Sequence, residues 1–118
     1  MEKINGVDLK VEFDADFTDA DFLDKIDKGI EVYLKKTEEL REKVNELDPA
    51  EGIRQGCQVI RDFLDYVFGD GASKKLLNKK SSLNECIDTF EGIIKVRDSQ
   101  YTEMADRLNK YSPERLKR

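Results

Sequence analysis

The side chains that could do chemistry are few, and their spacing does not bring them together. The chain has no histidine, which removes the commonest metal ligand and the usual general base near neutral pH. Zinc sites and Ser-His or Cys-His nucleophiles are therefore not expected. The two cysteines, Cys57 and Cys86, are far apart in sequence and each sits inside an apolar helical pattern. That placement fits small buried hydrophobes in a reducing compartment, with a disulfide or a reactive thiol as the alternative. Tyr66, Tyr101 or a buried carboxylate could do acid-base work, but no convergent pair is visible. Acids precede bases by four residues instead, as in Asp21 with Lys25, Asp24 with Lys28, Glu31 with Lys35 and Glu39 with Lys43. This is the pattern of a solvated helix face. The glycines lack the Walker spacing and a following Lys-Ser or Lys-Thr, so no phosphate loop is expected. The sequence predicts no catalytic residue, no cofactor and no metal, and a chain that is not an enzyme.

With 118 residues, 40% charged and 38% hydrophobic, 8% aromatic and no tryptophan, the chain reads as one domain over residues 1–118, built from long solvated helices. A net charge of -5 argues against a general nucleic-acid binder, whose affinity rests on a basic surface. No apolar run follows Met1, so neither a secretory signal nor a membrane span is predicted, and the expected location is the cytoplasm.

Periodicity supplies the elements. Residues 54–71 are the most apolar stretch of the chain. Ile53, Cys57, Ile60, Leu64 and Val67 recur at steps of four and three, flanked by Val59, Phe63 and Phe68, which predicts an inner helix with two sides to cover. Asp48-Pro49-Ala50-Glu51 marks its start, and Gly69 with Gly71 marks its stop and the turn beyond. The helix is expected over residues 49–68, with Phe68, Gly69 and Gly71 as its structural stop. Gly52 and Gly56, one turn apart, read as positions of close backbone approach.

At the N-terminal end Val7, Leu9, Val11 and Phe13 alternate with Asp8, Lys10, Glu12 and Asp14 behind an Asn5-Gly6 turn signal, predicting a β-hairpin over residues 1–14. Its second arm outruns the first, leaving an edge that either packs on the helices or pairs with another chain. Thr18 is the expected N-cap of a first helix over residues 18–47, with a stripe from Phe22 through Ile26, Ile30 and Tyr33 to Leu47. A short helical turn pinned by Leu76 and Leu77 is expected over residues 73–78. Ser82 and Glu85 form a capping box that opens a third helix over residues 82–111, closed by Ser112-Pro113 and followed by a basic tail, residues 112–118.

Together these elements predict a mainly α protein: a three-helix antiparallel bundle, up-down-up, with long first and third helices and a short N-terminal β-hairpin. At about 1.5 Å per residue the outer helices exceed the inner one by roughly 15 Å. Tyr101, Met104, Leu108 and Tyr111, at the end of the third helix, would then pass beyond its neighbours, with Arg97 either paired to a carboxylate or snorkelling. Candidate protein-interaction residues are thus Val7, Leu9, Val11 and Phe13 on the hairpin and Tyr101, Met104, Leu108 and Tyr111 on the helix, and a homo-oligomer is expected.

Several segments resemble one family. KINGVDLKVEFD at residues 3–14, FLDYVFGDG at 63–71 followed by KKLL, LNECIDTFEGII at 83–94 and NKYSPERLKR at the end look like small proteins of siphophages and prophages of Gram-positive bacteria, of the tail assembly chaperone type. The resemblance covers nearly the whole chain in order. It implies a mainly helical protein made with the tail genes and absent from the finished virion. Such a protein binds the tape measure protein and helps recruit tail tube subunits around it. By the same resemblance, the role of Phe68, Gly69 and Gly71 is structural.

Overall fold

The computed structural model describes residues 3–79 and 81–111. The chain is mainly helical, with a small antiparallel two-stranded hairpin at its N-terminal end, and the described residues hold five α-helices and one 3-10 turn rather than three helices alone. The basic tail expected at residues 112–118, the Ser112-Pro113 stop and the first two residues of the hairpin arm lie outside the described residues.

Strands β1 (Lys3–Ile4) and β2 (Val7–Asp8) pair Lys3 with Asp8 and Ile4 with Val7. Asn5 and Gly6 between them take φ of 53° and 82°, the positive values that a type I′ turn demands and Asn-Gly adopts most readily. The second arm does not continue to residue 14. It turns into helix α1 (Leu9–Phe13), capped by Asp8, whose carboxylate accepts from the N–H groups of Lys10 and Val11 at 3.0 and 3.1 Å. Alternation by two also sets Leu9 and Phe13 four apart, on one face of a helix. An extended arm with so short a partner would leave backbone groups unpaired, whereas a helical turn pairs them locally.

Helix α2 (Ala20–Lys43) is capped by Asp19, which accepts from the Phe22 N–H at 2.9 Å. The expected cap, Thr18, donates its hydroxyl to Asp16 at 2.6 Å instead. A 3-10 turn (Val44–Glu46) ends this arm, and helix α3 (Pro49–Phe68) follows behind Asp48, whose side chain accepts from Ala50 and Glu51. Gly69, with φ of 108°, closes α3 through its N–H to the Asp65 carbonyl. Gly71, with φ of 85°, leads into the short helix α4 (Ala72–Leu76), and the Ser73 N–H donates to the Asp65 carboxylate at 2.8 Å. Helix α5 (Leu83–Lys110) starts at Ser82, which accepts from the Glu85 N–H at 3.4 Å. The Glu85 carboxylate does not return to Ser82 to complete a box. It accepts from the backbone N–H groups of Asn78 and Lys79 and ties down the connector.

Close neighbours fix the helix directions. Lys36 pairs with Asp62, and Tyr33 meets Phe63, so α2 and α3 run antiparallel. Tyr33 stacks on Phe90 at 4.2 Å and Arg97 reaches Asp27 at 3.4 Å, so α2 and α5 are antiparallel as well. Gly56 faces Leu83 and Phe63 meets Phe90 at 4.9 Å; both numbers rise together, and α3 and α5 run parallel. This corrects the up-down-up order. The connector, with α4, returns along the bundle before α5 begins, because Leu76, Leu77 and Ala72 are buried in the common core and cannot serve as an exposed end-loop.

Two apolar centres organise that core. Tyr33, Phe63 and Phe90 form one, above the buried side chains of Cys57, Ile60, Leu64, Cys86 and Ile93. Phe13, Phe17, Phe22 and Phe68 form the other at the end of α3. The hairpin is latched across them by Asn5, whose amide donates one hydrogen to the Leu76 carbonyl at 2.7 Å and one to the Thr89 hydroxyl oxygen at 2.8 Å. Thr89 in turn donates to the Glu85 carbonyl. At Gly29 an added Cβ would meet the Phe63 ring and Val67 at 3.1 Å, so α2 can approach α3 this closely only without a side chain there.

Candidate functional site

Helix α5 outlasts both its neighbours. With Phe90 beside Phe63, the end of α3 falls level with residues near Lys95, and with Arg97 at Asp27, the start of α2 falls level with Met104. The last turns of α5 therefore run past the body of the protein. Tyr101, Leu108 and Tyr111 are 59%, 69% and 61% exposed, while Met104 is half-buried. Met104, Leu108 and Tyr111 share a shallow concavity with Thr18, and Tyr101 lies on the adjoining side with Leu23 and Arg97. Their spacing of three and four keeps these four side chains on one stripe.

The hairpin residues are placed differently. Leu9 is fully buried, and Phe13 packs on Phe68 with ring centroids 5.3 Å apart. Val7 is half-buried in the β1–β2 pair, and Val11, turned outward by α1, is 82% exposed with no apolar neighbour in sequence. The hairpin edge thus offers no continuous apolar surface, which removes it as the second docking strip. Phe68 belongs to the core, and Gly69 and Gly71 form the turn after α3.

A second apolar surface lies at the opposite end, where the sequence pattern had suggested only packing. Leu40, Val44, Gly52, Ile53, Leu83 and Ile87 are among the side chains lining a groove of about 380 Å³ between the end of α2 and the starts of α3 and α5. Val44, Ile53 and Ile87 are 42%, 39% and 38% exposed on it. Gly52 and Gly56 help make the depression: a Cβ at Gly52 would sit 3.5 Å from Val44, and one at Gly56 would sit 3.3 Å from Leu83. Ile53 and Ile87 stand on the stripes of their helices, and a stripe reads the same whether or not a neighbour reaches that far.

The polar groups do structural work. Arg97, on the α5 stripe, pairs with Asp27 at 3.4 Å and Asp98 at 3.1 Å; both carboxylates are exposed, so the cation is neither buried nor left in water alone. Asp16 is held below the usual carboxylate range by the hydroxyl and backbone hydrogen bonds of Thr18. Cys57 and Cys86 are free, buried thiols that meet between α3 and α5. Burial first, then the Cys57 thiol, push Cys86 up to about 12, so it stays protonated and a poor nucleophile near neutral pH. Among the described residues, no group of three or more His, Cys, Asp or Glu side chains could hold a metal ion, and no helix is long and apolar enough to cross a membrane.

Fold and surface define a small, mainly helical chain with an exposed apolar stripe on the last turns of α5 and an apolar groove at the opposite end. The chain belongs to the family of unknown function DUF6673, whose pattern matches residues 9–118. No curated protein and no solved structure matches it.

Proposed function

We propose that this chain is a non-enzymatic assembly protein of the phage tail assembly chaperone type, acting in the host cytoplasm. It self-associates and binds tape measure and tail tube proteins through apolar helical surfaces. The three long helices act as a bundle that carries these surfaces. The observation that carries the reading is the stripe of Tyr101, Met104, Leu108 and Tyr111, which lies wholly past the end of α3 and, at Leu108 and Tyr111, past the start of α2 as well, with three of its four side chains largely exposed. Exposed apolar stripes of this kind are covered by another helix in the manner of a helix-in-groove complex. The sequence resemblance over residues 3–118 supplies the class of client.

Light scattering from dilute to concentrated protein, together with co-expression of a tagged tape measure segment, tests this. A mass that rises with concentration and co-purification with the segment support the reading. A monomer at every concentration that captures no segment overturns it. Recovery of the protein in purified particles would instead assign it to the structure of the tail, as a completion or adaptor protein.

A further inference from the structure

We infer that Asn5-Gly6 is a self-modification site: when the hairpin lifts from the helices, the Asn5 side-chain amide is lost as ammonia, and the product cannot latch again. Asparagine is chemically labile where the backbone nitrogen of the next residue can reach its side-chain carbon, and only glycine puts no Cβ in the way. Asn5 alone meets that condition, since Asn45, Asn78, Asn84 and Asn109 are each followed by glutamate or lysine. The turn is also open to water. Asn5 and Gly6 are exposed, and nothing lies within 4 Å of where a Gly6 Cβ would stand.

The step needs no partner but water. The Gly6 nitrogen gives up its proton and bonds to the Asn5 side-chain carbon, the bond from that carbon to Nδ2 breaks, and Nδ2 leaves with three hydrogens as ammonia. Water then opens the five-membered imide. Cleavage beside the side-chain carbon leaves an aspartate at position 5. Cleavage beside the main-chain carbonyl leaves an isoaspartate, whose backbone runs through the side chain and is one atom longer.

The closed latch holds the amide out of this reaction. Both Nδ2 hydrogens are donated, to the Leu76 carbonyl at 2.7 Å and the Thr89 hydroxyl oxygen at 2.8 Å, so Nδ2 cannot depart until both bonds break. The turn itself is fixed by the Lys3–Asp8 and Ile4–Val7 pairs. Ile4 is seated against Gly92, where an added Cβ would stand 2.9 Å from its side chain. Bringing the Gly6 nitrogen onto the amide carbon therefore requires the hairpin to come away, and the population of that local opening sets the rate.

After the reaction the return is blocked. A carboxylate at position 5 offers only acceptors to the Leu76 carbonyl and to a Thr89 hydroxyl that already donates to the Glu85 carbonyl. Leu76 and Thr89 are each 1% exposed, so the mismatch is buried. Isoaspartate lengthens a two-residue turn and shifts the strand register. Either product turns a transient opening of the hairpin into a lasting one.

The full-length protein is held in mildly alkaline buffer, folded or in urea, and its tryptic peptides are followed by mass spectrometry for a gain of one mass unit. Thr89→Val, which keeps the volume and removes one acceptor, is run beside wild type, with Asn5→Asp as a stand-in for one product. The expected result is a gain confined to Asn5, fast in urea and slow in the fold. Folded Thr89→Val gains it roughly two- to tenfold faster than folded wild type, the change in open population that one hydrogen bond sets. The comparison of wild type with itself in urea holds whatever the stability of the variant. Modified wild type, separated from unmodified, melts lower, as Asn5→Asp does, and trypsin cuts it sooner after the exposed Lys10. Equal rates in the fold and in urea, a folded Thr89→Val no faster than wild type, a gain that maps to another asparagine, or a modified protein that melts as wild type does would overturn the inference.

Discussion

Asn5→Gly isolates what holds the hairpin to the helices. The wild-type residue sits at φ of 53°, a conformation that glycine adopts at no steric cost, so the substitution removes the side chain and little else. Lost with it are the bonds to the Leu76 carbonyl at 2.7 Å and the Thr89 hydroxyl at 2.8 Å. Leu76 and Thr89 are each 1% exposed, and a buried acceptor left without its donor costs about 1–3 kcal/mol. Thr89 keeps its bond to the Glu85 carbonyl, and Asn5 itself is exposed, so water can replace part of the loss at the rim. The net expectation is about 2 kcal/mol of lost stability. Asn5→Ala loses the same bonds and adds a left-handed alanine, a further cost of about 1 kcal/mol. Asn5→Asp faces the Leu76 carbonyl with a carboxylate oxygen and should be less stable than Asn5→Gly at neutral pH. Urea unfolding followed by far-UV circular dichroism gives the order directly. Asn5→Gly within about 0.5 kcal/mol of wild type, or Asn5→Ala no weaker than Asn5→Gly, would refute the latch.

Gly29→Ala forces the Phe63 ring and Val67 away from contacts at 3.1 Å and should cost about 1–3 kcal/mol by overpacking, seen as a lower melting temperature; an unchanged melt would show that α2 and α3 separate freely. Gly52→Ala meets only Val44, at 3.5 Å, and should raise stability by about 0.5–1 kcal/mol through helix propensity; a destabilised variant would show that the groove floor is tighter than its geometry. For Cys86, raised from 9.0 to about 12 by burial and by Cys57, the unfolded chain ionises first as pH climbs. Its contribution is whole below about pH 9 and is lost as pH rises from there toward about 12. Urea unfolding at successive pH values should show that fall above pH 9, and Cys86→Ala should show a shallower one. A variant with the same slope as wild type would contradict the burial argument.

What the sequence makes legible follows from where the information is local. Helix α3 is marked at both ends by Asp48-Pro49 and by Gly69, which act on their own backbone, and its stripe is broad enough to be read as buried. The type I′ turn at Asn5-Gly6 is equally local. The second amide bond of Asn5, however, reaches 84 residues along the chain to Thr89, and no short-range pattern encodes it. Residues 9–13 mislead because spacing by two contains spacing by four, and the choice between strand and helix rests on whether a partner strand exists. Helix direction is likewise non-local: the return of the connector depends on burying Ala72, Leu76 and Leu77 together. Of the candidate surfaces, helix lengths mark an overhang on α5 but, in the up-down-up order, set it past the start of α3, whereas parallel packing puts it past the end of α3; the groove needed the three helix ends to meet.

That exposed end carries the account, and it is tested most directly by parallel capture. Wild type and Leu108→Glu would each be co-expressed with a tagged tape measure segment, and the amount co-purified would be compared after their melting temperatures had been matched. The account predicts that wild type is retained and Leu108→Glu is lost while melting as wild type does. Equal capture of both proteins, or of neither, would contradict it.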